Sequence, residues 1–433
     1  MMSFDCNDES DHYSCANLAV KFIKIAGLWP TSEHFSVRNC VYKLYYVMVF
    51  LIQLYYFFGL TIQLFFVDTV LEETFEIIIF LITEVHILYK TRIFYFMKKE
   101  ILSLLGSLRI NFVIHKEFLT TENKQIIHST AVLTRNMCLL YAIMINGGIT
   151  FYCEFVPIAT SVYDYCVHNE SNILPRKPPY SIWLPIDMAN SDYYIEIFLM
   201  LTLASHCIAL VLMSTQAIFL TLIICLAGQF ELLSDALRNL SKNVQCRLQS
   251  TMGSTKWKSK ELEEDASYSD EPTDLFLAEA EIYLKECIKH HQSLIEFAEK
   301  FDNVWKTTFF VQFLTASFLV CFLGFQAMLM PFGLNLIKML IFIFVELFEL
   351  GVACKFGSDL MTQSEDVYRA VYDSDWYNQS TRFKQSARML IMRAQKPVRL
   401  TAGRLGILSQ PLFAAILRSS YSYLALLRQM HDD

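Results

Sequence analysis

The ionisable residues of this chain sit where charge is expensive. Glu346 and Glu349 stand three apart, on one face of a helix, inside an apolar block. Carboxyl groups at membrane depth are costly and mark pathways or sites where they occur. Their closeness to Lys355 equally fits the end of a span, facing water or a partner chain. Glu84 and His86 interrupt a second apolar block, and His206 lies in the middle of another. A single imidazole at an apolar position is more often a packing residue than a proton relay or a cavity lining. His290-His291 has no carboxylate or thiol at metal-ligand spacing and reads as structural. Twelve cysteines are spread thinly, and no C-x-x-C pair or Cys/His zinc spacing appears. Cys153 and Cys166 flank one long loop and could bridge it. No H-E-x-x-H, Gly-rich phosphate loop or G-x-S-x-G is present, so neither an enzyme nor a cofactor is expected.

The elements that position these residues are membrane helices. The chain has 433 residues, 54% hydrophobic and only 18% charged, whereas soluble domains carry about 25% charge. The apolar residues fall into blocks long enough to cross a hydrocarbon core of about 30 Å. They do not alternate as barrel strands would. The expected fold is all-α and polytopic, with seven spans at about 44–67, 72–91, 136–158, 194–226, 307–330, 336–354 and 405–427. The last is the weakest, with Pro411 and Arg418 inside it. One set of alternating connectors carries 29 Lys and Arg, and the other set carries 2. This asymmetry predicts a cytosolic N-terminus and an extracellular C-terminus, opposite to a G-protein-coupled receptor. The acidic opening, with Asp5, Asp8, Glu9 and Asp11, does not read as a signal peptide. Asn169-Glu170-Ser171 is a glycosylation sequon on the long outer loop. The net charge of −7 and the scattered basic residues give no reason to expect nucleic acid.

Five regions follow: an N-terminal cytosolic segment with an amphipathic or re-entrant helix (1–43), spans one to four (44–247), an acidic loop expected to be disordered (248–273), spans five and six with anchor helices (274–404), and the seventh span with a short tail (405–433). Helical spacing predicts that helix continues over 92–131, that a second cytosolic helix covers about 275–303, and that spans four, five and six project well past the bilayer. The outer half of spans two to six is dense in apolar and aromatic side chains. Phe75, Ile79, Ile145, Phe151 and Tyr152 lie at that depth. Ile197, Leu201, Met339 and Phe342 join them from later spans. Gly147-Gly148 leaves room beside the third span. An apolar pocket with few polar groups suits a small volatile molecule bound by desolvation and shape, although periodicity does not separate a pocket from an ordinary core.

Three stretches resemble the insect odorant receptors: Leu284 to Gln292 with Phe297-Ala298-Glu299; Tyr372 to Tyr377 with Lys384, Gln385 and Arg388; and Lys396-Pro397 through Ser420-Tyr421-Ser422-Tyr423. The resemblance implies a tuning subunit of a heteromeric, ligand-gated, nonselective cation channel in the plasma membrane of an olfactory neuron dendrite. Its partner would be the shared odorant co-receptor, in a tetramer embedded in membrane lipid, and its ligand a small volatile odorant. It also implies that the final helix lines the pore, with Leu426 at the gate and Gln429 in contact with ions. Arg428 stands where an apolar residue is usual in the co-receptor, which argues against a channel made of this chain alone. A gustatory receptor is the closest rival reading. The ending Ser422 to Met430 matches the T-Y-x-x-x-x-Q-F pattern of that family only in part.

Overall fold

A computed structural model describes residues 14–29, 37–67, 71–110, 121–168, 178–186, 192–252 and 274–432. Among them are twelve α-helices and no strand, only an isolated bridge between Thr401 and Ile407. The short α1 covers Ser14–Ile25. Then come α2 (Val37–Phe66), α3 (Leu71–Phe96), α4 (Lys98–Ile110) and α5 (Thr121–Thr150). A π-helical turn at Phe151–Phe155 joins α5 to α6 (Val156–His168). The remainder is α7 (Tyr194–Arg238), α8 (Leu240–Met252), α9 (Asp274–Leu329), α10 (Leu334–Asp373), α11 (Thr381–Ala394) and α12 (Gln410–Asp432).

Among the described residues, four stretches are long and apolar enough to cross a membrane by length and composition: Asn39–Phe66, Glu122–Tyr163, Tyr194–Arg238 and Asp274–Met328. The helices α3, α10 and α12 are also long, but they carry the ionisable residues that lower their hydropathy. The chain is therefore a helical polytopic membrane protein. On α2, Leu44, Leu51, Phe58 and Phe65 recur every seven residues, and all four are exposed. Such a stripe is at home against acyl chains, whereas in water it would invite aggregation. The polar side chains point the other way, with Gln53, Thr91 and Thr221 buried between helices.

The helix α7 is the hub. It is buried along most of its length and packs against α10, α5 and α1. At one end of the bundle, residues 178–186 fold inward between α2 and α7. The Tyr180 hydroxyl donates to the Leu201 carbonyl at 3.2 Å, and the Trp183 amide donates to Gly59 at 3.3 Å. Gly59 permits this approach, since a Cβ there would lie 2.9 Å from Ile182. At the other end, the extensions of α7, α9 and α10 pack with α8 and α11 into a second core, the anchor. Phe230, Leu284, Phe301 and Phe383 are fully buried there.

Two helical boundaries differ from the sequence expectation. The predicted cytosolic helix and the fifth span are one helix, α9, of 56 residues, about 84 Å long. No proline or glycine interrupts it between Asp274 and Leu323, so nothing breaks it at the membrane surface. Conversely, the helix expected over 92–131 turns at Met97, where α3 gives way to α4. The turn lets Ile101, Leu104, Leu105 and Leu108 bury themselves toward α9 and α7. The last helix also starts later than expected, at Gln410. Pro411 therefore occupies its first turn, where a missing N–H is harmless.

Candidate ligand cavity

Between α3, α5, α7 and α10 lies a cavity of about 120 Å³. Its size is comparable to an engineered apolar cavity of about 150 Å³ that admits benzene. Phe80 from α3 meets Tyr152 edge-on at 5.1 Å, Tyr180 at 5.8 Å and Phe342 from α10 at 6.4 Å. Ile145, Gly148 and Ile149 of α5 face Ile208, Ala209 and Leu212 of α7 across the space. Gly148 keeps the wall open, because a Cβ there would meet only Val345, at 3.8 Å. Desolvation of these aliphatic and aromatic surfaces would favour a small apolar guest.

A polar cluster closes one side. The Tyr152 hydroxyl donates to Glu76 in a short hydrogen bond. The Lys338 ammonium donates to the same carboxylate at 2.8 Å and sits 4.2 Å from the centre of the Tyr152 ring. On another side, Glu84 and Glu346 belong to the lining. Next to Glu346 on α10, Glu349 forms a salt bridge with Lys90, both side chains only 3% exposed, and accepts from Gln312 Nε2 at 2.8 Å. This corrects the expectation that the α10 carboxyls face water near Lys355. Glu349 is instead an internal bolt between α3, α9 and α10.

Of the residues singled out in the sequence, Ile145, Gly148, Tyr152 and Phe342 line the cavity. Phe75 packs on Phe322 and Phe325 of α9 instead, at 6.2 and 5.8 Å. Ile79, Leu201 and Met339 are buried in the helix packing away from the cavity, and Ile197 is half-buried against that core. Phe151 stacks on Phe155 at 5.3 Å. Ile145, Gly148, Ile149 and Tyr152 keep the i, i+3, i+4, i+7 spacing of one helical face, and Phe151 falls off that face. Cys153 is a free buried thiol and Cys166 a free exposed one, so no bridge joins them. His206 lies off the lining and pairs with Glu154 at 2.8 Å. Sequence reasoning missed Tyr56, Phe80, Tyr180 and Lys338. Of these, Tyr180 had a signal, an apolar run of Tyr180, Ile182, Trp183 and Leu184 in a nominally solvated loop.

Beyond the cavity, α12 packs on α9, with the Cys321 thiol 3.5 Å from the Ser420 carbonyl and Leu424 against Gly324. Leu426 and Gln429 are exposed on its other side. Asn169 and the acidic stretch 253–273 lie outside the described residues, as does the side chain of Arg428.

The family model described as 7tm Odorant receptor matches residues 70–421, most of the chain, with α3, α5, α7 and α10 among them. The chain belongs to this odorant receptor family. Among its relatives in Drosophila melanogaster, Odorant receptor 13a is 25% identical over 276 residues, 60% of this chain and 59% of that receptor. Odorant receptor 67a is 29% identical over 149 residues, 34% of this chain and 37% of the relative. The matched stretches thus span less than two thirds of these relatives. The receptor also shares its fold with the insect olfactory receptor OR5 from Machilis hrabei in complex with eugenol, at a TM-score of 0.74 and 15% identity. That match covers 97% of this chain and 100% of OR5.

Proposed function

We propose that this receptor is the tuning subunit of a heteromeric, odorant-gated, nonselective cation channel, and that the cavity between α3, α5, α7 and α10 holds the odorant. The observation that carries this reading is the aromatic and aliphatic space walled by α3, α5, α7 and α10, with Tyr56 of α2 and Tyr180 completing it, and α10 running on into the anchor. Eugenol, bound by the OR5 structure named above, is a small aromatic of the kind such a space would suit. A ligand shifts a gate only by binding one state better than the other. A guest between α5 and α10 would favour the state in which α10 stands further from α5, and α10 packs directly on α12. The end that bears residues 178–186 is extracellular in this reading, with Asn169 glycosylated and the anchor cytosolic. Leu426 forms the gate, Gln429 contacts permeating ions, and the odorant co-receptor supplies the remaining subunits in the plasma membrane of an olfactory neuron dendrite.

The test is electrical. Cells carrying the receptor and the odorant co-receptor should conduct cations on exposure to some small aromatic or ester odorants. Ile145→Trp, which fills the cavity, should abolish those currents while surface assembly persists. Currents of unaltered potency in that variant would remove the cavity from the mechanism.

A further inference from the structure

Most polar groups on the cavity lining are already engaged. The Thr83 hydroxyl donates to Ile79, the Ser205 hydroxyl bonds Leu201 and Tyr56, and the Tyr180 hydroxyl donates to Leu201. Lys338 and Tyr152 both serve Glu76. Two lining carboxyls remain. Glu84 is 3% exposed, and its Oε1 has no hydrogen-bond partner. Glu346 shares the lining and makes no salt bridge among the described residues. The cations nearby are spoken for, since Lys90 is held by Glu349 and Lys338 by Glu76. Counted together, Glu76, Glu84, Glu346 and Glu349 stand against two lysines, Lys90 and Lys338, so two carboxyls at the lining have no cation to match them.

An unpartnered carboxyl group buried in an apolar wall is costly and is relieved by a hydrogen-bond donor, most of all a cationic one. From this unpartnered group we propose that the receptor is tuned to small volatile amines, whose nitrogen is held by Glu84, with Glu346 a second acidic group on the same lining, while the hydrocarbon part rests on Phe80, Phe342 and Ile145. The inference rests on the odorant-cavity reading above. An amine offers up to three N–H groups as an ammonium, whereas an alcohol offers a single donor. Either the nitrogen arrives protonated and meets a carboxylate, or it takes the carboxyl proton. Both routes end in a neutral ammonium–carboxylate pair. A carboxylic acid guest would find no free cation and two like groups.

Benzylamine, benzyl alcohol and ethylbenzene have the same number of heavy atoms and nearly the same shape, so they isolate the nitrogen. Two readouts are used: current in cells with the co-receptor, and thermal stabilisation of the purified receptor by each compound. Benzylamine should act at concentrations about tenfold or more below the other two, from the charge-assisted bonds. Glu84→Gln should erase that advantage, bringing the potency of benzylamine level with that of ethylbenzene in the same variant. Glu346→Gln should do the same in part, and serves should the first variant fail to reach the surface. Equal potency of the three compounds, a preference for the alcohol, or an advantage that survives both substitutions would overturn the amine assignment. Stabilisation by all three that Ile145→Trp removes would leave the cavity intact and sink only the amine. Absence of any stabilisation by any compound would sink both.

Discussion

At the scale of single residues, the cavity depends on a hydrogen atom. Gly148 could accept a methyl group without a clash, since Val345 lies 3.8 Å from where its Cβ would stand. Gly148→Ala should therefore fold normally yet lose sensitivity to the largest ligands. A methylene-sized mismatch is worth about 1–3 kcal/mol, roughly a tenfold or greater rise in half-maximal concentration. Smaller ligands should keep their potency, and dose–response curves over a homologous series would show whether they do. The Lys90–Glu349 pair makes a different demand. Removing one partner strands a buried charge, at about 3–5 kcal/mol, whereas removing both together leaves little unsatisfied. Lys90→Met should lower thermal stability and surface expression markedly, and Glu349→Leu in the same chain should restore much of the loss. If the double variant is as damaged as the single one, the pair is not the bolt described. The sequence showed Glu349 plainly as an oddity but gave no hint of Lys90, which reads as an ordinary basic residue at the end of a span. The pairing joins residues 259 positions apart, and no local pattern encodes it.

At the scale of elements, helical periodicity revealed the amphipathic faces but not where one helix stops and the next begins. Nothing in residues 303–307 distinguishes a membrane boundary inside α9 from a loop, because continuity there depends on packing at both ends. The π-helical turn at Phe151–Phe155 was equally invisible. In the anchor segment of α9, His290 and His291 are buried, and the burial of each holds its imidazole down at about 4. His291 stands beside His290, Arg393 of α11 lies near His291, and the Phe230 ring meets His291 edge-on. Both imidazoles are thus neutral in the folded anchor, while the unfolded chain takes up their protons near pH 6.5. The unfolded state binds more protons between about 6.5 and 4, so anchor stability is full above that window and falls as the pH drops through it. Each imidazole contributes on the order of 1.4 kcal/mol per pH unit. Melting of the detergent-solubilised receptor should shift downward between pH 7 and pH 5, and the shift should shrink in His290→Leu. A pH-independent melt would show that these histidines are not enclosed.

At the scale of the whole molecule, the α12 face bearing Tyr421, Tyr423 and Leu426 is exposed in the single chain. The low hydropathy that made this helix the weakest span in the sequence agrees with one side facing water in an assembly. Leu426→Ala should raise resting current in cells that also carry the co-receptor, and a resting current equal to that of the parent receptor would rule out the gate role. The connector before α12 shows why the third family-like stretch falls where it does. The Thr401 amide and hydroxyl both donate to Asp302 of α9, at 2.6 and 3.0 Å. Gly357 of α10 leaves just enough space for the Leu408 carbonyl, which would lie 2.3 Å from a Cβ. These contacts bear on how the receptor is made. The anchor half of α9 leaves the ribosome about a hundred residues before Phe383, Leu390, Leu400 and Leu408, which complete the wrapping of its apolar side. During that interval Phe297 and Phe301 have α7 and α8 beside them but lack their final cover. The nascent chain thus carries a long, stiff, incompletely covered helix toward the end of synthesis.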